Sequence, residues 1–245
     1  MIDSHAHLDD KKFKNLDEII LKARNSGVKA VIDPATSFAS NFKILQLSEK
    51  YSGFVFPALG IDPLNSNISQ QQLEEVKELI IEKKPVAIGE VGLDYYWLKE
   101  KEPQQKVFEF FIKLAEELKL PLIVHARKAE KEVIDLLKNS ETAVIMHHFS
   151  GTLEQAEACV YYGFYVSLAT NCCYSNCEAL IEKIPLESML LETDSPYNHP
   201  DRKGINEPAN IKKLYDLVSR VKEQEFKEVE KVIDKNAKRV FKLGD

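Results

Sequence analysis

The chain has no run of about 18 consecutive apolar residues, the length a helix needs to cross a bilayer, so nothing in it reads as a membrane span. Its start has no basic stretch followed by an apolar core. Met1 leads straight into Ile2-Asp3-Ser4-His5, so no secretory signal is expected and the expected compartment is cytoplasmic. Excess positive charge is also missing. Against 33 Lys and Arg stand 39 Asp and Glu, a formal net charge of −6, which argues against nucleic-acid binding driven by bulk charge. A nucleic-acid substrate stays compatible with that balance, because bound cations supply positive charge locally. The lysines alternate with glutamates, as in Lys222-Glu223 and Lys227-Glu228, and read as solvated helix faces. Cysteine is scarce. Cys159, Cys172, Cys173 and Cys177 match no recognised zinc spacing, and a cytoplasmic protein is expected to keep them as free thiols.

What is present is a regular alternation. At 245 residues and 44% hydrophobic, the chain suits one α/β barrel, whose typical length is about 250 residues. Eight short runs rich in Val and Ile read as strands near Ile2–His5, Val28–Asp33, Val55–Gly60, Pro85–Glu90, Pro121–His125, Ala143–His147, Phe164–Leu168 and Met189–Glu192. Amphipathic stretches separate them. Val107, Phe110, Phe111, Leu114 and Leu118 recur at helical steps, with Pro103 and the acids Glu100 and Glu102 near the start of that helix. Leu73, Val76, Leu79 and Ile80 repeat the pattern, as do Phe226, Val229, Ile233, Ala237 and Val240. No linker or compositional break divides the chain, so residues 1–245 are expected to form a single α/β domain, a (β/α)8 TIM-type barrel. A doubly wound open sheet is the alternative.

His5 and His7 stand two apart on the first expected strand, where side chains two apart share a face and two imidazoles can grip one divalent ion. Further ionisable residues fall at the carboxyl ends of other strands: Asp62, Glu90, His125, His147, His148, Glu192 and Asp194. In a barrel of this type the active site is built at that end. Five of the six histidines thus converge on one rim, which favours a metal site over scattered core histidines.

Asp3-Ser4-His5-Ala6-His7-Leu8, Gly89-Glu90-Val91-Gly92-Leu93-Asp94-Tyr95, Val124-His125-Ala126-Arg127, His147-His148-Phe149-Ser150-Gly151, Glu192-Thr193-Asp194-Ser195-Pro196-Tyr197 and Gly204-Ile205-Asn206-Glu207-Pro208 follow one another in this order. With these motifs the chain resembles, over nearly its whole length, the TatD family of metal-dependent hydrolases. The resemblance implies two divalent ions, magnesium, manganese or zinc, held by His5, His7, Glu90, His125, His147 and Asp194. It also implies a deoxyribonuclease, of the 3′–5′ exonuclease kind, acting on DNA or another phosphodiester. Glu90 would bridge the two ions, and Asp194 would take the proton of the attacking water. His148 aligns with a variable position of the family motif and reads as rim filling or as support for a ligand. Asp62 stands where the family often has a histidine, and an acid there would repel a substrate phosphate. Capping the turn before Pro63 is an equal reading for it.

Substrate contacts are expected from Arg127, which shares a face with His125, and from Arg202 and Lys203 in the loop after the last strand. Tyr95, Tyr96 and Trp97 are placed either to stack on a base or to pack the rim. Asp194-Ser195-Pro196 also reads as a helix start. An amidohydrolase-type cleavage of C–N or ester bonds is the competing function, and a non-enzymatic barrel a third. In many such C–N hydrolases a carboxylated lysine bridges the metals, where this chain has Glu90. The oligomeric state stays open.

Overall fold

The computed structural model describes residues 1–244; Asp245, the last residue of the expected single domain, lies outside them. Eight parallel strands pair in sequence order: β1 (Ile2–Asp3), β2 (Ala30–Pro34), β3 (Val55–Leu59), β4 (Ala87–Asp94), β5 (Leu122–Arg127), β6 (Val144–Met146), β7 (Tyr165–Ala169) and β8 (Met189–Glu192). The sheet closes through the chain just after β1. Ser4 N–H donates to Leu191 O at 3.0 Å, Asp194 N–H to His5 O at 2.9 Å and His7 N–H to Ser195 O at 2.8 Å. Ala6 N–H meanwhile donates to Ile32 O at 3.0 Å, tying the same segment to β2. Closure makes this a (β/α)8 barrel and excludes the open sheet.

Helices α1 (Leu16–Asn25), α2 (Phe38–Lys50), α3 (Gln70–Lys83), α4 (Lys101–Leu118), α5 (Glu130–Leu137), α6 (Leu153–Tyr161), α7 (Glu178–Lys183), α8 (Ile211–Val221) and α9 (Phe226–Phe241) alternate with the strands. The expected helical faces are the buried ones: Val107, Phe111 and Leu114 in α4, Leu73, Val76 and Ile80 in α3, and Val229, Ile233, Ala237 and Val240 in α9. Pro103 falls in the first turn of α4, where a missing N–H costs no intrahelical bond. Ser37, Ser69 and Thr152 cap α2, α3 and α6 with reciprocal capping boxes, fixing where each helix leaves the rim. Among the described residues, no helix is long and apolar enough to cross a membrane.

Two apolar layers result. The outer one lies between strands and helices. The inner one takes Ile2, Ala30, Ile32, Ala58, Ala87, Ile123, Ile145, Tyr165 and Leu190, at least one residue from every strand, and is plugged by Ala237, Val240 and Phe241 of α9. This fills the amino-terminal half of the barrel interior with side chains and leaves the other half for chemistry.

Three expectations are corrected. The strands that carry Glu90 and His125 do not end there: β4 runs on to Asp94 and β5 to Arg127, because each continues pairing with the other beyond a register shift between Ile88 and Val91. Cys172 and Cys177 form a disulfide, since a tight 3-10 turn (Thr170–Cys173) folds back to bring their Cα atoms to 5.1 Å; Cys159 and Cys173 are free thiols. Asp194-Ser195-Pro196 starts no helix. Asp194 adopts φ of 52°, and the chain stays irregular until Pro208.

Candidate metal centre

Period-two alternation decides which residues face into the barrel. On β5 the inward Ile123 is followed by His125, and on β6 the inward Ile145 is followed, two residues on, by His147. On β7 Tyr165 is followed by Ser167, and on β8 Leu190 by Glu192. The same rows thus change from apolar at the bottom to ligand-type at the top.

Glu90 occupies the centre. Its Oε2 lies 3.3 Å from His5 Nε2 and 3.7 Å from His7 Nε2, while its Oε1 lies 2.8 Å from His125 Nδ1 and 3.5 Å from His147 Nε2. One carboxylate therefore divides its two oxygens between two pairs of histidines. His5 Nε2 and His7 Nε2 are 3.2 Å apart, and His7 Nε2 lies 3.4 Å from Asp194 Oδ1. Ligand atoms bonded at about 2.0–2.2 Å to one cation sit about 3.0–3.5 Å from each other, so these separations suit a shared ion. Among the described residues, three triads have ligand atoms within 4.8 Å of one another: His5, His7 and Glu90; Glu90, His125 and His147; His5, His147 and Glu192. His5 Nδ1 and His7 Nδ1 are buried without hydrogen-bond partners.

The electrostatics fit a cation. Burial pushes the Glu90 carboxyl up, but the His147 charge and hydrogen bonds from His125 and His5 hold it well below the usual carboxylate range. Asp194 is likewise held low, burial being outweighed by the His7 hydrogen bond and the charges of His148 and His147. Against the burial that lowers it, the Asp194 hydrogen bond and the Glu90 charge raise His7 to about 10. Burial takes His5 down to about 4. Two buried anions stay ionised among imidazoles, and a divalent ion would neutralise them where protons otherwise must.

Two carboxylates absent from the expected ligand set orient it. Asp94 Oδ2 lies 3.0 Å from His125 Nε2, and a proton held there would leave Nδ1, on the Glu90 side, free to bind an ion. Glu192 Oε1 stands 2.7 Å from His147 Nδ1, close but off the line of an aligned hydrogen bond, and leaves Nε2 facing Glu90. Both stand two residues from a motif position or a ligand on the same strand row, and that spacing was the signal that could have found them. His148 sits beside the set, its Nδ1 3.4 Å from Asp194 Oδ2 and its N–H donating to Glu192 at 3.0 Å. Asn198, with no local sequence signal, donates from Nδ2 to Asp194 Oδ2 at 2.6 Å. Gly92 has φ of 141°, and a Cβ there would come within 2.0 Å of His125 O; only glycine lets β4 and β5 close up beside the site.

Over this centre opens a cavity of about 730 Å³, lined by His7, Glu90, His125, His147, His148 and Asp194 and, toward its mouth, by Trp97, Arg127 and Tyr197. Asp9, Asp10, Asp62, Lys11 and Lys43 form another part of its wall. Asp62 does cap the turn, accepting from Asn65 N at 2.9 Å and from Asn65 Nδ2 at 2.8 Å; burial and the Glu90 charge raise it to about 6. Arg202 and Lys203 do not line the cavity, and the Arg202 guanidinium lies over Tyr174 at 4.5 Å. Tyr95 is anchored by its hydroxyl to Glu132 at 2.7 Å, whereas Tyr96 and Trp97 project outward.

A family model described as TatD related DNase matches residues 2–242. The chain belongs to the TatD family. It is 33% identical to the uncharacterized metal-dependent hydrolase YabD of Bacillus subtilis, with both chains covered completely. It is 34% identical to the deoxyribonuclease TATDN3 of Homo sapiens, over 98% of this chain and 94% of that protein. The crystal structure of YJJV, a TatD homolog from Escherichia coli K12, superposes with a TM-score of 0.93 at 29% identity, covering 100% of this chain and 98% of the other. As a TatD protein the chain is a metal-dependent hydrolase, with the histidine and carboxylate clusters such an enzyme requires.

Proposed function

We propose that this TatD protein is a deoxyribonuclease, a 3′–5′ exonuclease that hydrolyses phosphodiesters with two divalent ions, magnesium, manganese or zinc. The observation that carries the reading is the divided Glu90 carboxylate, one oxygen facing His5 and His7, the other facing His125 and His147. His5, His7 and Asp194 would hold one ion, His125 and His147 the other, with Glu90 between them. Paired ions supply charge stabilisation at both the entering and the leaving oxygen of an in-line displacement. The name of the human relative, deoxyribonuclease, supports DNA as the substrate.

The protein's own residues do the rest. Asp194, ionised and pinned by Asn198 Nδ2 and by its own N–H to His5 O, would accept the proton that the attacking water loses. Asp94 and Glu192 fix the rings of His125 and His147 so that reorganisation is small. Arg127 at the mouth would take a phosphate oxygen, and Arg202, stacked on Tyr174 outside the cavity, would meet only DNA that extends past the rim. The filled lower barrel makes the site a pit open on one side, which suits a chain end more than a continuous duplex.

Degradation of single- and double-stranded DNA, run in parallel with magnesium, manganese and zinc and after chelation, tests this. Stepwise release of nucleotides from 3′ ends that stops on chelation is the expected result. Intact DNA alongside cleavage of an amide, a lactone or an aminoacyl ester would replace the nuclease by the amidohydrolase reading, for which Asp62 on the cavity wall is the favouring feature.

A further inference from the structure

Trp97 is the only tryptophan in the chain, and it is 61% exposed at the mouth of the metal-site cavity, with Tyr96 beside it at 52%. Large aromatic surface left in water is unfavourable unless something covers it, and most of both rings stays exposed here. Tyr95 shows what a packed neighbour looks like: its hydroxyl is bound to Glu132 and its ring is partly buried. The Tyr96 and Trp97 rings meet edge to face at 4.8 Å, and the Arg127 guanidinium lies 4.3 Å above Tyr96 and 5.4 Å from Trp97. Trp97 and Arg127 line the same cavity as His125, His147 and Asp194.

The support under this pair is the metal centre itself. Asp94 Oδ1 accepts from Tyr96 N–H at 2.9 Å and Trp97 N–H at 2.8 Å, while its Oδ2 meets His125 Nε2 at 3.0 Å. One carboxylate thus sets the turn that presents the aromatics and the ring of a candidate ligand. The aromatic faces are held at a fixed place relative to the reacting centre.

On this geometry, and resting on the nuclease reading above, we propose that Trp97, backed by Tyr96 and Arg127, is the stacking platform for the nucleobase next to the phosphodiester being cleaved. The base lies on the indole, and the Arg127 guanidinium, already over the Tyr96 ring, reaches a neighbouring phosphate. Stacking tolerates every base, since each has a π-face, so the platform fixes position without reading sequence.

The single tryptophan is its own reporter. Metal-loaded protein is titrated with a short DNA strand made uncleavable by phosphorothioate linkages, and with the same strand lacking its terminal bases, while Trp97 fluorescence is followed. The base-bearing strand is expected to quench the emission and to bind about 5- to 100-fold more tightly than the abasic one. Trp97→Ala should raise KM for DNA by a similar factor with kcat little changed and should abolish the preference for the base-bearing strand, and Trp97→Phe should restore most of the loss. Arg127→Ala should weaken both strands alike. Equal quenching and equal affinity for the two strands, with DNA still cleaved, would overturn the platform and leave the nuclease standing. A fall in kcat, or weaker binding of the abasic strand, in Trp97→Ala would assign the residue a structural role instead. No binding and no cleavage of any DNA by the unmodified protein would remove both.

Discussion

The two ends of this barrel hold buried charge in opposite ways. At the amino-terminal end Glu230 and Asp234 have every carboxylate oxygen partnered. Glu230 Oε1 takes the Met1 ammonium at 2.8 Å, its Oε2 takes Lys227 at 2.8 Å, Asp234 Oδ2 takes Lys29 at 2.9 Å and Asp234 Oδ1 accepts from Tyr215 at 3.1 Å. Above them the interior is closed by Phe241 and the inner apolar layer. At the carboxyl end His5 Nδ1, His7 Nδ1 and Asp33 Oδ2 are buried without hydrogen-bond partners, and four imidazoles crowd the Glu90 carboxylate. Buried polar groups cost stability unless they are satisfied. The satisfied end serves the fold, and the unsatisfied end is arranged for ions that would complete it.

Breaking the crowded end at its centre should give the largest effect. Glu90→Gln removes the charge shared by both histidine pairs, and metal-dependent hydrolysis should fall at least about a thousandfold. Metal content measured on the purified variant should drop with it, while circular dichroism keeps the barrel signature. Retained activity would remove Glu90 from the bridging role.

Breaking the opposite end should act on stability and leave chemistry alone. Phe241→Ala empties a fully buried site in the plug and should cost about 3–5 kcal/mol in urea unfolding. At temperatures where the variant is folded, metal content and turnover should match the parent. A selective loss of metal would show that the two ends are not separable.

Smaller effects should come from the residues that orient ligands. Asp94→Asn and Glu192→Gln keep the size of each side chain but remove the charge facing His125 and His147. Metal affinity is expected to fall about 10- to 100-fold in each, read by competition with a chelating dye. An unchanged affinity would mean that the imidazoles orient themselves.

The mildest change belongs to Glu230. Burial pushes its carboxyl up, but Lys227, the amino terminus and Lys29 outweigh that and draw it down to about 2 from an ordinary 4.5. The folded state therefore gains stability from the ionised form above pH 4.5 and loses it as pH falls toward 2. Glu230→Gln should lower Tm modestly at pH 7, and the gap should close as pH drops through that window. A gap independent of pH would mean packing, not charge, is what the variant disturbs.

The comparison also explains what was legible in the sequence. The barrel was, because strand and helix periods alternate from end to end and a closed parallel sheet needs both faces apolar. His5, His7, Glu90, His125, His147 and Asp194 were drawn from strand ends and family motifs, and the fold brings all six to one rim. Asp94 and Glu192 carried the same period-two signal, but an acid near a ligand has no sequence mark that separates orienting from binding. Asn198 reaches Asp194 from an irregular loop, where no periodicity exists to read. Strand ends slipped at β4 and β5 because their mutual pairing, a tertiary effect, continues them beyond the motif residues. The Cys172–Cys177 bond is not legible in compartment or spacing, because it depends on the turn that joins the two residues.

The central claim is that one carboxylate joins two cations. Anomalous diffraction from a crystal of the manganese-loaded protein tests it most directly. Two peaks should flank Glu90, about 3.5–4 Å apart, one among His5, His7 and Asp194 and the other between His125 and His147. A single peak, or peaks that leave Glu90 out, would contradict it.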